Sequence, residues 1–390
     1  MKANPGGQLA ADDVVGRRNL IDRLWRALER QSVVLSAERR IGKTTIMLKM
    51  MGEAPKNKLV IYRDLEAIRT PQEFVETVLR DVEDHLSLKQ KTAVGTRRLL
   101  SGLAGVEIAS VVKLPPAAAQ QWKTVLAKIV EDLVGQQERE VIFFWDEVPL
   151  MLHNVKRTSG EPAAMEVLDM LRSLRQTHPT LRMIFTGSIG LHNVLGSLRK
   201  AGYANDPTND MLTEEVPPLS HADAVELAGK ILAGERIQAK DTPAVAEEIA
   251  RSTDGFPFFI HHVVDVMAGR GEEVTVKTVG EIIEASLTDP QDRWHLRYYR
   301  ERLDIYYLPE ERPLALGMLD VLAFADGPLS FDDLFNLLKA RVATEDQERA
   351  RDVLTLLMRD HYVLQGADGA YRFRFSLIRR MWRLHRGGAA

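Results

Sequence analysis

One stretch near the amino terminus decides the fold, and it reads Val33-Val34-Leu35-Ser36-Ala37-Glu38-Arg39-Arg40-Ile41-Gly42-Lys43-Thr44. A short apolar run leads into a polar loop, and a helical pattern begins where the loop ends at Gly42. Strand, loop and helix in this order are the context of the phosphate-binding pattern G-x-x-x-x-G-K-[ST]. The match departs once, because Ala37 stands where the first glycine is usual. The pattern predicts a loop that binds a nucleoside triphosphate.

The residues at the end of this loop have predicted roles toward phosphate. Gly42 lets the backbone come close, and the helix that begins there directs free N–H groups and its positive dipole end at the phosphates. Lys43 is predicted to reach the β- and γ-phosphates, and Thr44 to place its hydroxyl on Mg²⁺. We therefore expect ATP with Mg²⁺ as the ligand. The predicted nucleotide-binding residues of the loop and its helix are Arg39, Arg40, Ile41, Gly42, Lys43, Thr44 and Thr45.

Two later strand ends supply further polar groups. One apolar run ends in Asp146 and Glu147. In a site of this kind the first acid holds Mg²⁺ and the second polarises the attacking water as a general base. Another apolar run leads to Thr186 and Ser188, and either hydroxyl is a candidate to contact the γ-phosphate or orient the water. The alternatives are a solvated strand cap for the acids and an ordinary strand exit for the hydroxyls.

The order of apolar runs predicts three domains. Residues 1–218 alternate strand-like and helical runs, which indicates an α/β fold with a parallel sheet covered on both faces. A segment rich in Gly, Pro and Ala at about 88–118 is predicted to be an insertion in this core. Residues 219–308 read as helices separated by glycines, and residues 309–390 read as three helices followed by a strand, a turn and a strand. The last pattern is typical of a winged helix-turn-helix.

Composition excludes several kinds of chemistry. The chain has 390 residues, a formal net charge of -3 and no cysteine, so it has no disulfide framework, no thiolate zinc site and no thiol nucleophile. No apolar run approaches the roughly 20 residues that a membrane span needs, and the amino terminus lacks the apolar core of a signal peptide. We predict a cytoplasmic protein that has no membrane partner.

Taken together, these segments resemble an AAA+-related P-loop ATPase. More narrowly, they are similar to the archaeal-ATPase-like branch of the STAND class, which also occurs in bacteria and is akin to origin-recognition-like ATPases. The resemblance covers nearly the whole chain in order and spacing. Besides the loop and the strand ends, it rests on Val14-Val15-Gly16-Arg17 and Gly255-Phe256-Pro257.

The resemblance implies roles for these two additional motifs. Val15, Gly16 and Arg17 are expected to lie by the adenine and ribose. The tripeptide ending at Pro257 is expected to start a lid helix, with Pro257 near the base, so that the lid follows the nucleotide state. A plain helix break is the alternative, because glycine ends helices and proline starts them. Arg182 and Arg199 are candidates by position for an arginine finger, with ordinary surface charge as the alternative.

The end of the chain is strongly basic. From Tyr371 to Arg386 it carries six arginines and no acid, although the presumed recognition helix just before it is mixed in charge. A winged helix binds DNA through a helix in the major groove and a basic wing on phosphate. Duplex DNA bound by the winged helix and the run from Arg372 to Arg386 is therefore one predicted partner. A protein docked on the same module is the alternative.

We hypothesise an ATP-binding and ATP-hydrolysing molecular switch. Nucleotide state would control lid closure, homo-oligomerisation and the exposure of a C-terminal winged-helix module that binds DNA or a protein. The alternatives are a nucleotide-regulated DNA-binding or scaffold protein with negligible turnover, and a P-loop kinase of small molecules. The predicted catalytic residues are Lys43, Glu147 and Ser188, and the predicted metal ligands are Thr44 and Asp146.

Overall fold

In the part of the chain that the computed structural model describes, five short strands form one parallel sheet. In chain order they are β1 (Ser32–Ser36), β2 (Lys58–Asp64), β3 (Glu140–Asp146), β4 (Arg182–Phe185) and β5 (Met211–Glu215). Their order across the sheet is β2-β3-β4-β1-β5, and all neighbouring strands are parallel. Strand β4 therefore lies between β1 and β3. Because parallel strands point the same way, the carboxyl ends of these three strands meet at one edge of the sheet.

Strand β3 is the most deeply buried part of the sheet. Its apolar residues 141–145 are each at most 2% exposed. The ring of Trp145 stacks on Phe143 at 4.7 Å and on Phe185 at 6.1 Å, and it meets the edge of Phe74 at 5.2 Å. Such aromatic pairs contribute about 0.5–1.5 kcal/mol each beyond their buried area. The backbone that leads into Asp146 is thus held by a rigid aromatic cluster.

Helices follow or separate the strands. They are α1 (Arg18–Leu28), α2 (Lys43–Gly52), α3 (Pro71–His85), α4 (Pro116–Gln120), α5 (Trp122–Gln136), α6 (Val148–Ser159), α7 (Glu161–Thr177) and α8 (Leu191–Lys200). Helix α1 shows why these segments are helical, because Leu20, Ile21, Leu24 and Leu28 recur on one face and are buried. This arrangement is an α/β fold built on a parallel sheet.

The sequence did not predict strand β5. It pairs with β1 from Ser32 opposite Met211 to Ser36 opposite Glu215. Its residues alternate between more and less exposed positions, and it ends in two glutamates. An edge strand has a hydrogen-bonded neighbour on one side only and tolerates exposed polar residues, which weakens its apolar signal. Pairing with β1 compensates for this weak local preference.

The structure describes residues 1–7, 9–85, 96, 114–188 and 190–387. Most of the insertion predicted at about 88–118 lies outside them. The described residues form two units. The sheet unit contains residues 19–36 and 43–215, and the helical unit contains residues 1–18, 37–42 and 216–390. Within this described part, no helix is both long and apolar enough to cross a membrane.

The helical unit begins with four helices after residue 219. They are α9 (His221–Gly234), α10 (Thr242–Ser252), α11 (Pro257–Arg270) and α12 (Val276–Leu287). Side chains cap three of them: Ser220 accepts from the Asp223 N–H, Asp241 from the Ala244 N–H, and Thr275 from the Thr278 N–H. These caps satisfy N–H groups that have no partner inside the helix. They help to explain where three of these four helices begin, and the fourth begins at Pro257, since proline favours the first turn of a helix.

The rest of the helical unit contains five helices and a hairpin. They are α13 (Tyr298–Tyr306), α14 (Arg312–Phe324), α15 (Phe331–Lys339), α16 (Gln347–Arg359), β6 (Val363–Gln365), β7 (Tyr371–Phe373) and α17 (Ser376–His385). Strands β6 and β7 pair antiparallel, with Val363 opposite Phe373. Three helices and a hairpin thus follow residue 309 in the predicted order, and the winged-helix assignment stays a prediction. Helix α17 was not predicted, although its buried residues Leu377, Ile378, Met381 and Trp382 recur at helical spacing.

Candidate nucleotide-binding site

Thr44 and Asp146 meet at the carboxyl edge of the sheet. Helix α2 begins at Lys43, and the next residue, Thr44, donates its Oγ1 proton to Asp146 Oδ2 at 2.6 Å. Asp146 is 3% exposed, whereas Thr44 is exposed. Burial raises the pKa of Asp146, and the Thr44 hydrogen bond and the Lys43 charge oppose the rise. Strand pairing therefore brings together the two predicted metal ligands and places Lys43 close enough to act on one of them.

Ser188 holds Glu147. Both carboxylate oxygens of Glu147 lie 3.0 Å from the Ser188 N–H, and Oε2 also accepts from Ser188 Oγ at 2.9 Å. Burial raises the pKa of Glu147, while the hydrogen bonds from Ser188 and the charge of Lys43 lower it. The backbone of Glu147 is left-handed, at φ 58°, a conformation that is uncommon outside glycine and recurs at functional sites. Ser188 therefore fixes the carboxylate of the second acid, while the backbone N–H of that acid donates to Asp146 Oδ1 at 3.0 Å.

Gly187 makes room for this contact. A Cβ on Gly187 would lie 2.7 Å from Pro149 Cδ and 3.4 Å from Glu147 Oε2. Any side chain would therefore push against the helix start or the carboxylate. The sequence analysis assigned no role to Gly187. Its position between a strand end and a hydroxyl residue is the signal that could have identified this role.

The third residue at this strand end is Thr186. Its hydroxyl is buried and has no hydrogen-bond partner in the part of the chain that the structure describes. Its backbone is fully used, because the N–H donates to Trp145 O at 3.1 Å and the carbonyl accepts from Val148 N at 3.0 Å. A buried hydroxyl without a partner is costly unless a ligand or water satisfies it. This hydroxyl therefore suits a site that takes up a polar ligand.

Tyr62 is a neighbour of the acids that sequence reasoning missed. It lies on β2, which pairs with β3, the strand that ends at Asp146. Burial raises the pKa of Tyr62, and the charge of Asp146 adds to the rise. No motif marks this tyrosine. Only the strand register, which sets Tyr62 opposite Phe144, places it beside the acid pair.

In the helical unit, Arg17 binds the backbone of the loop 37–42, which the sequence predicts to bind phosphate. Its guanidinium donates to Ile41 O at 3.0 Å and to Pro217 O at 2.7 Å, and the residue is 4% exposed. Burial lowers the pKa of Arg17 to about 10, and the charge of Asp223 opposes the decrease. The two preceding motif residues, Val15 and Gly16, are less buried. Arg17 therefore acts on the loop backbone, which the resemblance did not imply.

The two loop arginines lie on aromatic rings of the same unit. The Arg40 guanidinium lies 4.1 Å from the centre of the Phe258 ring, next to Pro257, and that of Arg39 lies 4.5 Å from the Tyr298 ring. Burial lowers the pKa of Arg40, and the charge of Arg39 adds to the decrease. The structure thus brings the loop and the start of α11 together. Arg39 and Arg40, which the sequence predicts to bind nucleotide, contact aromatic rings there.

The two candidates for an arginine finger have partners in the sheet unit. Arg182 donates to Leu28 O at 2.9 Å and to Leu181 O at 3.0 Å. Arg199 lies 3.6 Å from the carboxylate of Asp206. These contacts agree with a structural role for Arg182 and with a surface charge for Arg199.

Two solved structures share this fold over almost the whole chain. A Walker-type ATPase of Pyrococcus abyssi aligns with a TM-score of 0.66 and 17% identity over 98% of this chain and 100% of its own. The ORC2 protein of Aeropyrum pernix, in ADPNP–ADP complexes, aligns with a TM-score of 0.56 and 11% identity over 95% of each chain. At such identities the likeness is one of fold. No protein-family model matches the sequence, and no curated protein matches it.

Asp146 offers a test of the site without nucleotide. In the wild type, Asp146 Oδ1 accepts a hydrogen bond from the Glu147 N–H at 3.0 Å. Asp146→Asn keeps an oxygen for this bond, and its amide group can donate to the Thr44 hydroxyl. Because burial raises the pKa of Asp146 in the folded state, the charged carboxylate destabilises the fold at neutral pH. We expect the variant to raise the melting temperature at pH 7.5 by about 2–4 °C, the change that 1 kcal/mol produces in a domain of this size.

The difference in melting temperature should shrink as the pH falls. The wild-type carboxyl then takes up a proton, and the buried neutral form no longer destabilises the fold. Asp22→Asn is the matched control, since Asp22 is an exposed aspartate on α1 of the same unit. A variant Asp146→Asn that melts lower than the wild type, or gains equally at pH 5 and pH 7.5, would contradict the prediction.

Proposed function

We propose that this protein is an ATP-binding and ATP-hydrolysing molecular switch. The observation that supports this most is the meeting of Thr44, Asp146 and Glu147 at one edge of the sheet, with the charge of Lys43 acting on both acids. A hydroxyl–carboxylate pair and a second carboxylate are what phosphoryl transfer to water needs for metal binding and water activation. The fold shared with a Walker-type ATPase and with an ORC2 protein solved with ADPNP and ADP supports the same function.

The residues present fit Mg²⁺ and a triphosphate. Thr44 Oγ1 and Asp146 Oδ2 lie 2.6 Å apart and are hard oxygen ligands of the kind that Mg²⁺ prefers. Lys43 is proposed to bind the β- and γ-phosphates, with the backbone of Gly42 close to them. The φ of Gly42 is +95°, which a residue with a side chain rarely adopts. Mg²⁺, when bound, neutralises charge on the phosphates.

Glu147 is proposed to be the general base that takes a proton from the attacking water. Ser188 then positions Glu147 through two hydrogen bonds. For Ser188 this role replaces the direct contact with phosphate that its sequence position suggested. At the other end of the nucleotide, Val15, Gly16, Arg17 and Pro257 are proposed, from the family resemblance, to surround the adenine and ribose.

The switch needs a connection between the nucleotide and the C-terminal module. We propose a core of residues 1–218, a lid domain of 219–308 and a winged-helix domain of 309–390. Asp254, directly before the Gly255-Phe256-Pro257 motif, accepts from Ser376 Oγ at 2.8 Å and from Leu377 N at 2.7 Å. A carboxylate at the start of α17 satisfies free N–H groups there. Movement of the lid motif would therefore act directly on α17, and closure is also proposed to create a homo-oligomer interface.

The contacts of the basic run favour a protein partner over duplex DNA. Arg379 donates to Ala323 O, Arg380 pairs with Glu284, and Arg386 donates to Asp320 at 2.9 Å. Two others, Arg374 and Arg383, lie over Phe375 and Phe324. Arginines that hold α17 on its neighbours are less available for phosphate. Duplex DNA remains the second candidate, because Arg372 on the hairpin is exposed.

Two substitutions test the ATPase itself. Lys43→Ala is expected to weaken Mg·ATP binding at least tenfold, because it removes the charge next to the phosphates. Glu147→Gln is expected to keep binding and to lower kcat at least a hundredfold, the usual contribution of a general base. Binding can be measured by calorimetry and turnover by phosphate release. Binding without turnover in the wild type would favour the nucleotide-regulated scaffold, and hydrolysis at the wild-type rate by Glu147→Gln would exclude Glu147 as the base.

Ser188 gives a more specific test of the base. The hydroxyl bond lowers the pKa of Glu147, so Ser188→Ala should raise that pKa. The acidic limb of the pH dependence of kcat/KM should then move to higher pH, because the base must be ionised to act. Ser188→Thr keeps the hydroxyl and should leave the limb in place. Equal profiles for all three proteins would argue against the positioning role.

The salt dependence of DNA binding separates the two partners. Each phosphate contact on duplex DNA contributes about -0.9 to the slope of log Kobs against log salt concentration. With most of the basic run occupied, we expect a slope no steeper than about -2, measured by fluorescence anisotropy with ATP or ADP present. A slope near -5 that Arg372→Ala and Arg380→Ala both reduce would instead make duplex DNA the partner.

A further inference from the structure

The phosphate loop contains one acid, Glu38, and the proposed function gives it no role. Glu38 is 2% exposed. A carboxylate in a loop that binds a triphosphate repels the ligand and is costly to bury unless it is paired. Its Oε1 accepts from Arg302 Nη1 at 2.6 Å and from the Arg39 N–H at 2.9 Å. The acid is therefore neutralised by a cation from α13, far along the chain.

Arg302 also binds a second segment. Its Nη2 donates to the carbonyl of Asp360 at 2.8 Å, and the Arg302 side chain is 7% exposed. The guanidinium lies 4.8 Å from the centre of the Tyr362 ring. A planar guanidinium can serve two acceptors at fixed angles, which a lysine ammonium does not do in the same way. One buried side chain thus bridges the phosphate loop and the residues after α16.

The Asp360 end of this bridge is firmly built. Asp360 directly follows α16, and Tyr362 directly precedes β6. The carboxylate of Asp360 accepts from Tyr307 OH at 2.8 Å, and Tyr362 OH donates to Tyr299 O at 2.6 Å. All of these groups are buried. A shift of Arg302 would therefore change the contacts of Asp360 and Tyr362, at the start of the C-terminal hairpin.

Helix α13 contacts the loop at a second point. Tyr298 lies under the guanidinium of Arg39 at 4.5 Å, one helical turn before Arg302. Residues four apart lie on the same face of a helix. The same face of α13 therefore contacts two consecutive loop residues, Glu38 and Arg39. A change in the conformation of the loop would therefore alter its contacts with α13.

We propose that Arg302 is a positioning residue for the nucleotide site, which sets the conformation of the phosphate loop through Glu38 and ties it to the C-terminal hairpin through Asp360. The inference rests on the proposed function and names how that site is coupled to its output. Coupling between two sites is reciprocal. Nucleotide at the loop should change the stability of the segment 360–364, and loss of the bridge should change nucleotide affinity.

The experiment uses the full chain with Glu38→Gln, Arg302→Gln and the double variant. Arg300→Gln is the matched control, because Arg300 lies on the same helix and pairs with Asp304 at 2.6 Å on the surface. We expect each bridge variant to raise the Kd of Mg·ATP at least tenfold while kcat changes less than threefold. The double variant should be no more than twofold worse than the worse single variant, because both remove one interaction.

Hydrogen exchange then tests the coupling. In the wild type and in Arg300→Gln, Mg·ATP should slow exchange in the segment 360–364. In Arg302→Gln this protection should be lost, although Mg·ATP at saturating concentration still binds. Arg302→Lys keeps the charge without the planar fork and should lie between wild type and Arg302→Gln. If Arg302→Gln does not fold, Glu38→Gln and Arg302→Lys carry the same comparison.

A nucleotide-free measurement separates this proposal from the proposed function. Without ATP, Arg302→Gln should speed exchange in both the loop 37–42 and the segment 360–364 relative to Arg300→Gln. If the wild type and Lys43→Ala bind ATP equally weakly, the proposed function fails while this measurement still decides whether the bridge exists. Faster exchange in one segment only, additive effects in the double variant, or equal Kd values for Arg300→Gln and Arg302→Gln would overturn the proposal.

Discussion

Parallel pairing of β1, β4 and β3 is the constraint on which the candidate site depends. It ends three strands at one edge, and the polar residues that follow them meet there although they are distant in the chain. The hydrogen bond from Thr44 to Asp146 exists only because of this pairing. The cluster of aromatic rings around Trp145 makes the edge rigid, so the carboxylates need not be ordered when a ligand binds.

The second feature of the structure is that acids with little exposure to solvent receive hydrogen bonds from neighbouring side chains. Thr44 donates to the buried Asp146, Ser188 to the half-buried Glu147, and Arg302 to the buried Glu38. Such groups contribute little to stability, since desolvation offsets much of the attraction, but they fix geometry because alternatives leave a charge unpaired. In Asp146 and Glu147, the effect of burial on the pKa is larger than the opposing effects of the hydrogen bonds and the Lys43 charge, so both pKa values rise. Burial that disfavours the charged form of these acids agrees with the proposal that the site takes up a cation, whose charge would offset this cost.

Much of the fold could be predicted from local patterns. The apolar runs of β1, β3 and β4 and the helices after residue 219 form where periodicity and capping residues indicated, because these signals act over a few residues. Strand β5 was missed because it has few apolar residues and ends in two glutamates. Helix α17 was missed although its apolar residues recur at helical spacing, because its arginines suggested a surface for DNA, whereas Arg380 pairs with Glu284. The roles proposed for Lys43, Thr44, Asp146 and Glu147 follow from residue type and position, and they stay predictions.

The sequence alone determined that a phosphate-type loop, two acids on a later strand end and a basic C-terminal run occur in one chain, because each is a local pattern. Only the tertiary structure decided which partners these groups have. Ser188 contacts Glu147, Arg17 contacts the loop backbone, and Arg302 joins Glu38 to Asp360. None of these pairs is close in sequence, and no periodic pattern encodes a single long-range contact. They arise from packing, which makes a buried charged or polar group take the partner that the fold brings within reach.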